Sequence, residues 1–332
     1  MKRFLQLICC VLLFVACENE GDNLNTGLGS EIAFDAENVE SGRSVITQDD
    51  IDNDRTTIKV YAKQNGSKVL YDNVEIEREA TGKWYPTSGK TEWQSGQSYS
   101  FYGYAYNTTS GLTISENGAQ IVVNQPTTYD ESKMVDYLLS YRFMVADGAM
   151  KPIVQLQLEH AMALVEVYVV RGNLFDARLK RLRFENIYSS GSLKCTTHAV
   201  ANEGMPNVWE IVLSGNGNTT YELNPSNPVV IGDTRDNTEA KMRILCIPQQ
   251  LTANAKLTVV YEVNEKVTTD SEDNWVEHSE SFQLFKYAPV DYQSGHRILY
   301  TATIDSGVNL QAAIAEWKDV DYIEGTILPE IK

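Results

Sequence analysis

The sequence predicts an all-β protein built from β-sandwiches. Three observations carry that expectation. Apolar residues recur at every second position in short runs, polar turn signals separate the runs, and no stretch keeps a helical period.

In chain order, Ile58, Val60 and Ala62 alternate with Thr57, Lys59 and Tyr61. Tyr99, Phe101, Gly103 and Ala105 alternate with Tyr102, Tyr104 and Tyr106. Val154, Leu156 and Leu158 alternate with Gln155, Gln157 and Glu159, and Val165, Val167 and Val169 follow. Leu257, Val259, Tyr261 and Val263 make a further run, as do Tyr300, Ala302 and Ile304. Side chains on a strand point to opposite faces in turn, so each run reads as a half-buried strand. Asn65-Gly66, Thr81-Gly82, Asn117-Gly118, Ser214 to Gly217 and Ser294-Gly295 are the turn signals between them. Leu310 to Trp317 is expected to form a short helix at most. The polar stretches 215–240 and 264–276 are expected as surface loops.

The front of the chain is an export signal. Lys2 and Arg3 precede an apolar run from Phe4 to Ala16, which ends at Cys17. The run is too short to span a bilayer, which takes roughly 20 apolar residues. Phe14-Val15-Ala16-Cys17 resembles a bacterial lipobox, with Phe14 where Leu is commoner. The expectation is lipidation of Cys17 after removal of residues 1–16. Glu18-Asn19-Glu20-Gly21-Asp22 then begins a polar tether, and acids directly after the lipidated Cys resemble a surface-export signal of Bacteroidales-type bacteria. The organisation read from the sequence is a signal over 1–16 and a tether with a possible removable strand over 17–43. A sandwich over 44–147 and a second sandwich over 148–332 follow, with the boundary at Ala146-Asp147-Gly148.

Net charge is −17, and loss of the signal's two basic residues leaves −19. So acidic a chain is poorly suited to nucleic acid or an anionic membrane surface. Outside the leader only Cys195 and Cys246 remain, too few for a disulfide framework. Both lie in apolar, strand-like contexts that suit buried thiols, and pairing between them stays open.

Patterns for catalysis are missing. Ser88-Gly89-Lys90-Thr91 ends like a phosphate loop, but Trp84 stands where its first Gly belongs. Asp50-Ile51-Asp52-Asn53-Asp54 begins like a calcium loop, yet Arg55 replaces the turn Gly and Tyr61 the closing Glu. His160, His198, His278 and His296 have no metal-ligand spacing, and His160 reads as a structural residue between two strands. No cofactor, metal or enzymatic activity is expected. Trp93, Tyr102 and Tyr104 are the candidates for an exposed aromatic face that stacks on sugar rings, although Tyr also suits packed strand faces.

Several segments together resemble the fimbrillin-like family of Bacteroidales. They are Glu92 through Tyr106, Asp136-Tyr137-Leu138-Leu139, Glu159-His160-Ala161-Met162-Ala163, Ile247-Pro248-Gln249, Gly295 through Tyr300, and Ile314 through Trp317. Met162 and His296 depart from the usual Leu and Lys. The resemblance implies two tandem transthyretin-like, Ig-like Greek-key β-sandwiches. It also implies export as a lipoprotein, then a cut by an Arg-specific protease that removes the first strand. A strand of a neighbouring subunit would then fill the gap by β-augmentation.

On that expectation Glu31 to Ala36 is the removable strand and Arg43 the cleavage position, with Arg55 the alternative. Cutting at Arg43 leaves a net charge of −13. Val320, Tyr322 and Ile327 mark a donor strand, or the last strand of their own domain. The role expected is a fimbrial or pilus subunit for adhesion at the cell surface, with other fimbrial subunits as partners and the outer membrane as anchor before processing. A fimbrial anchor that keeps its lipid, and a surface lipoprotein that binds host or bacterial glycans or proteins, are the alternatives.

Overall fold

The computed structural model describes residues 31–38, 46, 50–51, 56–107, 120–147, 151–172, 176–195, 209–232, 240–265, 272–287, 291–305 and 307–316. The chain is all-β. Its first eight strands are β1 (Phe34–Asn38), β2 (Thr57–Gln64), β3 (Lys68–Arg78), β4 (Trp84–Pro86), β5 (Ser98–Tyr106), β6 (Gln120–Asn124), β7 (Tyr137–Val145) and β8 (Val154–His160). Next come β9 (Ala163–Arg171), β10 (Ala177–Ile187), β11 (Ser190–Cys195), β12 (Trp209–Ser214), β13 (Thr219–Leu223), β14 (Val229–Val230) and β15 (Met242–Cys246). The last are β16 (Gln249–Gln250), β17 (Lys256–Asn264), β18 (Trp275–Gln283), β19 (Asp291–Tyr292), β20 (His296–Ile304) and β21 (Val308–Glu316).

Seven strands close a barrel in the order β1-β4-β3-β2-β5-β7-β8. The turn signals act where they stand: Asn65 and Gly66 both take positive φ, 51° and 72°, and join β2 to β3. The seam of the barrel is β1, which runs parallel to β8 over five register pairs from Phe34↔Val154 to Asn38↔Leu158. On its other side β1 meets β4 at Phe34↔Trp84. The barrel thus takes in one strand from before residue 44 and one from beyond residue 147. Its interior is a separate apolar cluster that includes Phe34, Ile58, Val60, Tyr71, Phe101, Leu138, Val154 and Leu156.

The remaining strands make open sheets. β15-β9-β20-β21 and β13-β10-β17-β18 carry facing rows such as Val165, Ile298 and Tyr300 against Leu182, Phe184 and Val259, within one core cluster. β14 pairs with β10, and β16 with β19. β6 stays outside the barrel's own ladder and joins β11 and β12 in a three-stranded sheet, so the chain crosses between the two parts before residue 147.

That sheet also covers the outside of the barrel. Tyr61, Tyr102 and Tyr141 stand in one register row across β2, β5 and β7. Trp209 of β12 meets Tyr102 edge-on at 6.4 Å. At the joint, His160 Nδ1 lies 3.0 Å from an Asp136 oxygen, both side chains fully buried. Asp136 also donates its backbone N–H to the Asn107 side-chain oxygen at 2.8 Å.

Two expectations are corrected. Of the expected short helix over Leu310 to Trp317, the described part, Leu310 to Glu316, is strand: β21 runs through Glu316 in a nine-pair antiparallel register with β20. The Asp305–Gly307 turn sets this hairpin, and Leu310 is drawn into the core. The stretch 215–240 is not all loop, because β13 and β14 lie in it against β10.

Candidate functional site

The feature with functional geometry is the seat of β1. Its apolar residues alternate as a strand requires: Phe34 and Ala36 are buried, while Asp35 is half-buried and Glu37 exposed. Phe34 enters an aromatic pocket, edge-on to Tyr71 at 6.1 Å and to Phe101 at 5.6 Å. Trp93 closes the deep end, edge-on to Tyr99 at 4.8 Å and to Phe101 at 5.9 Å. Just before the strand, Ile32 and Ala33 are also buried; Ile32 N–H donates to the Thr91 carbonyl at 2.8 Å, and Val154 N–H donates to the Ala33 carbonyl at 2.9 Å. Burial pushes the Tyr71 phenol up to about 12.

The rim of the seat is polar and mostly basic. Lys83 meets Asp35 at 3.4 Å, and Lys90 lies 3.5 Å from Glu31 and 3.3 Å from Glu79. The hydrogen bond with Glu79 raises the Lys90 ammonium above its ordinary value, with Glu31 adding to it. Glu37 accepts from Gln157 Nε2 at 3.4 Å, and Arg142 donates to Gln157 Oε1 at 2.5 Å and to the Gln155 carbonyl at 2.8 Å. The seat therefore binds its strand in three ways: backbone pairing along β8, an aromatic pocket for one side chain, and charge at the outward positions.

The three aromatic candidates for a sugar platform are corrected by burial. Trp93 is 9% exposed, Tyr102 4% and Tyr104 0%. Trp93 points into the barrel core, while the Tyr side of β5 is roofed by Ile121, Val123 and Leu193. Tyr104 donates its hydroxyl to Asn73 at 2.8 Å. Neither face of β5 is left to solvent as an aromatic ladder, and the alternating pattern carried no mark that both faces would be covered.

Cys17, Arg43, Arg55, Val320, Tyr322 and Ile327 lie outside the described residues. Cys195 and Cys246 are free, buried thiols, and burial pushes Cys195 up to about 12. Among the described residues no group of three or more His, Cys, Asp or Glu could hold a metal ion, and no helix is long and apolar enough to cross a membrane.

A family model described as fimbrillin-like matches residues 43–317. No curated protein matches the chain in sequence. Among solved structures, a fimbrial protein from Bacteroides vulgatus is 13% identical with a TM-score of 0.58, and the match covers 87% of this chain and all of that one. A protein from Bacteroides uniformis, provisionally assigned to cell adhesion, is 12% identical with a TM-score of 0.53 over the same shares of the two chains. Both likenesses are likenesses of fold.

Proposed function

This chain belongs to the fimbrillin-like family, and from that premise we propose that it is a structural subunit of a cell-surface fimbria that serves adhesion. It is exported as a lipoprotein through Cys17, cut at Arg43, and assembled by strand exchange with other fimbrial subunits. Within this reading the barrel is an N-terminal transthyretin-like sandwich closed by β1, and the sheets beyond it form the second sandwich. The fold it shares with a fimbrial protein of Bacteroides vulgatus agrees with that role.

The observation that carries the proposal is the way β1 is held. It is a short strand whose side chain Phe34 is fully buried, yet its long pairing is the single parallel ladder with β8. Removing residues up to Arg43 takes the whole strand away. It leaves unpaired backbone on β8 and an empty aromatic pocket, which is the situation β-augmentation resolves.

The test is processing of the full-length chain by an Arg-specific protease, followed by light scattering and N-terminal sequencing. Polymers should form only after the cut, with Ser44 as the new N-terminus. Polymers that form equally well from uncut chain would defeat the reading. Isolated fimbriae that contain the chain intact from Cys17 would make it the anchor instead of a stalk component. The glycan-binding alternative rested on Trp93, Tyr102 and Tyr104, and burial of all three takes its platform away.

A further inference from the structure

We propose that the outer face of the β13-β10-β17-β18 sheet binds a linear sulfated polysaccharide, which lies along β10 over Arg178, Lys180, Arg181 and Arg183. The inference adds a ligand to the adhesion role and depends on neither processing nor strand exchange.

The site begins as a local feature of the sequence. Arg178-Leu179-Lys180-Arg181-Leu182-Arg183 holds four cations in six residues of a chain whose net charge is −17. In a regular strand Arg181 and Arg183 would share the buried face with Leu179. A β-bulge prevents that: the register of β10 on β17 shifts between Leu179↔Tyr261 and Arg181↔Val260. The extra residue, Lys180, re-phases the strand, so Leu179, Leu182 and Phe184 are buried in the core while the cations leave by the other face. Arg178, Arg181 and Arg183 stand opposite Glu262, Val260 and Thr258, one alternating set of β17. Lys180 meets Glu262 at 3.1 Å and Glu277 at 2.6 Å on that same face.

This face is layered. Glu262 and Glu185 lie low on the sheet, their side chains 13% and 7% exposed, whereas Lys180, Arg181 and Arg183 are 35%, 43% and 36% exposed. Arg178 is clamped between Glu262, 2.6 Å from Nη2, and the Trp275 ring, whose centroid is 3.6 Å away. Arg183 reaches Glu185 at 3.2 Å and Glu222 at 3.1 Å. The carboxylates thus fix the guanidiniums, and the cations are ordered before a ligand arrives. A guanidinium has five N–H donors, and contacts with described residues spend one or two of each, so donors remain for an anion.

The same pairing decides the class of ligand. Each cation already faces a carboxylate, so a ligand that offers only carboxylates gains little by exchange. Sulfate presents three oxygens to a guanidinium and stays ionised at every physiological pH. A polymer repeats it along a row that is roughly 15 Å long by strand rise. The polymer must also be thin. The exposed acids Glu222 on β13 and Glu277 on β18 flank the row, and the net charge of the chain repels a broad anionic surface. A single sugar chain meets the row alone, whereas a membrane plane meets the acids as well.

The experiment measures binding of the full-length chain to heparin. Hyaluronan, which carries carboxylates and no sulfate, and phosphatidylglycerol vesicles are the comparison probes. Heparin should bind at least about tenfold more tightly than either, and salt should release it. R181E/R183E should weaken heparin binding by about tenfold or more. K68E/K286E changes the net charge equally at exposed lysines elsewhere and should stay within about twofold of the wild type. E222Q/E277Q removes the flanking acids and should tighten binding about threefold, a gain that misfolding cannot produce.

Absence of heparin binding, equal binding of hyaluronan or the vesicles, equal losses in R181E/R183E and K68E/K286E, or no gain in E222Q/E277Q would overturn the inference. If a urea titration shows R181E/R183E unfolded, the gain in E222Q/E277Q decides alone.

Discussion

Phe34 stands edge-on to Phe101, ring centroids 5.6 Å apart and planes at 84°, with both side chains fully buried. This one contact ties the barrel's seam strand to its central strand β5. Truncating the ring removes a large buried surface and leaves a cavity. Phe34→Ala should destabilise the uncut chain by about 3–5 kcal/mol. After proteolysis and release of β1 the same variant should match the wild type, because the residue has left with its strand. Urea midpoints before and after cutting check both halves.

Gly103 of β5 faces Leu156 of β8 inside the barrel. A Cβ there would lie 3.0 Å from Leu156 Cδ2 and 3.1 Å from Cδ1. Gly103→Ala should therefore cost about 1–3 kcal/mol by overpacking. Leu156→Ala should cost more alone, through its cavity. The two together should cost less than their sum, with a coupling of at least about 0.5 kcal/mol. Strict additivity in a denaturation cycle would show that the residues do not press on each other.

Much of this architecture was written in the period of the apolar residues. Ile58–Ala62, Val154–Leu158 and Leu257–Val263 became strands with the buried face the alternation assigned. A period of two tells which face is buried, and nothing about the neighbour. The parallel contact of β1 with β8, the closure of the barrel and the move of β6 onto β11 all depend on long-range pairing, which no local pattern encodes. β5 shows the limit: Phe101 and Tyr102 are consecutive and both buried, because the barrel core takes one face and a second sheet roofs the other. β21 fails for another reason. Ala312, Ala313 and Ala315 are strong helix formers, and pairing with β20 overrides their propensity. The seat's strand was visible as a short alternating segment, but its basic rim was not, since Lys83 and Lys90 reach it only through the fold.

Glu166 is the charged centre of the second part of the chain. It is 2% exposed; Arg297 donates to one of its oxygens through Nε at 2.8 Å, with Nη2 2.6 Å from the same oxygen, and Arg243 Nε donates to the other at 3.0 Å. Arg243 also reaches Glu131, and its backbone N–H donates to the Tyr129 hydroxyl, so the group pins the segment before β7 onto the β15-β9-β20 sheet. Glu166→Gln keeps the shape and removes the charge. It should cost about 3 kcal/mol, as expected when one partner of a buried ion pair is lost. Because the carboxylate is buried, the loss should be nearly the same at low and high salt. A loss that vanishes in high salt would mark the group as a surface pair.

Stability should also fall on the alkaline side, and the sign follows from burial. Cys195 is pushed from an ordinary 9.0 up to about 12, and Tyr71 from 10.0 up to about 12. Both groups are neutral when protonated, and the unfolded chain ionises them first. Their protonated state is common to both forms below pH ~9, so stability there is full. As pH rises past the ordinary values, the unfolded state gains by releasing protons that the folded state still holds. At pH ~11 the loss should be on the order of 2–3 kcal/mol from Cys195 and about 1 kcal/mol from Tyr71. Cys195→Ala and Tyr71→Phe remove these contributions separately. Each variant should show a flatter fall of the urea midpoint between pH ~9 and ~11 than the wild type, whatever its stability at neutral pH. Curves parallel to the wild type would mean that these two groups titrate alike in the folded and unfolded chain.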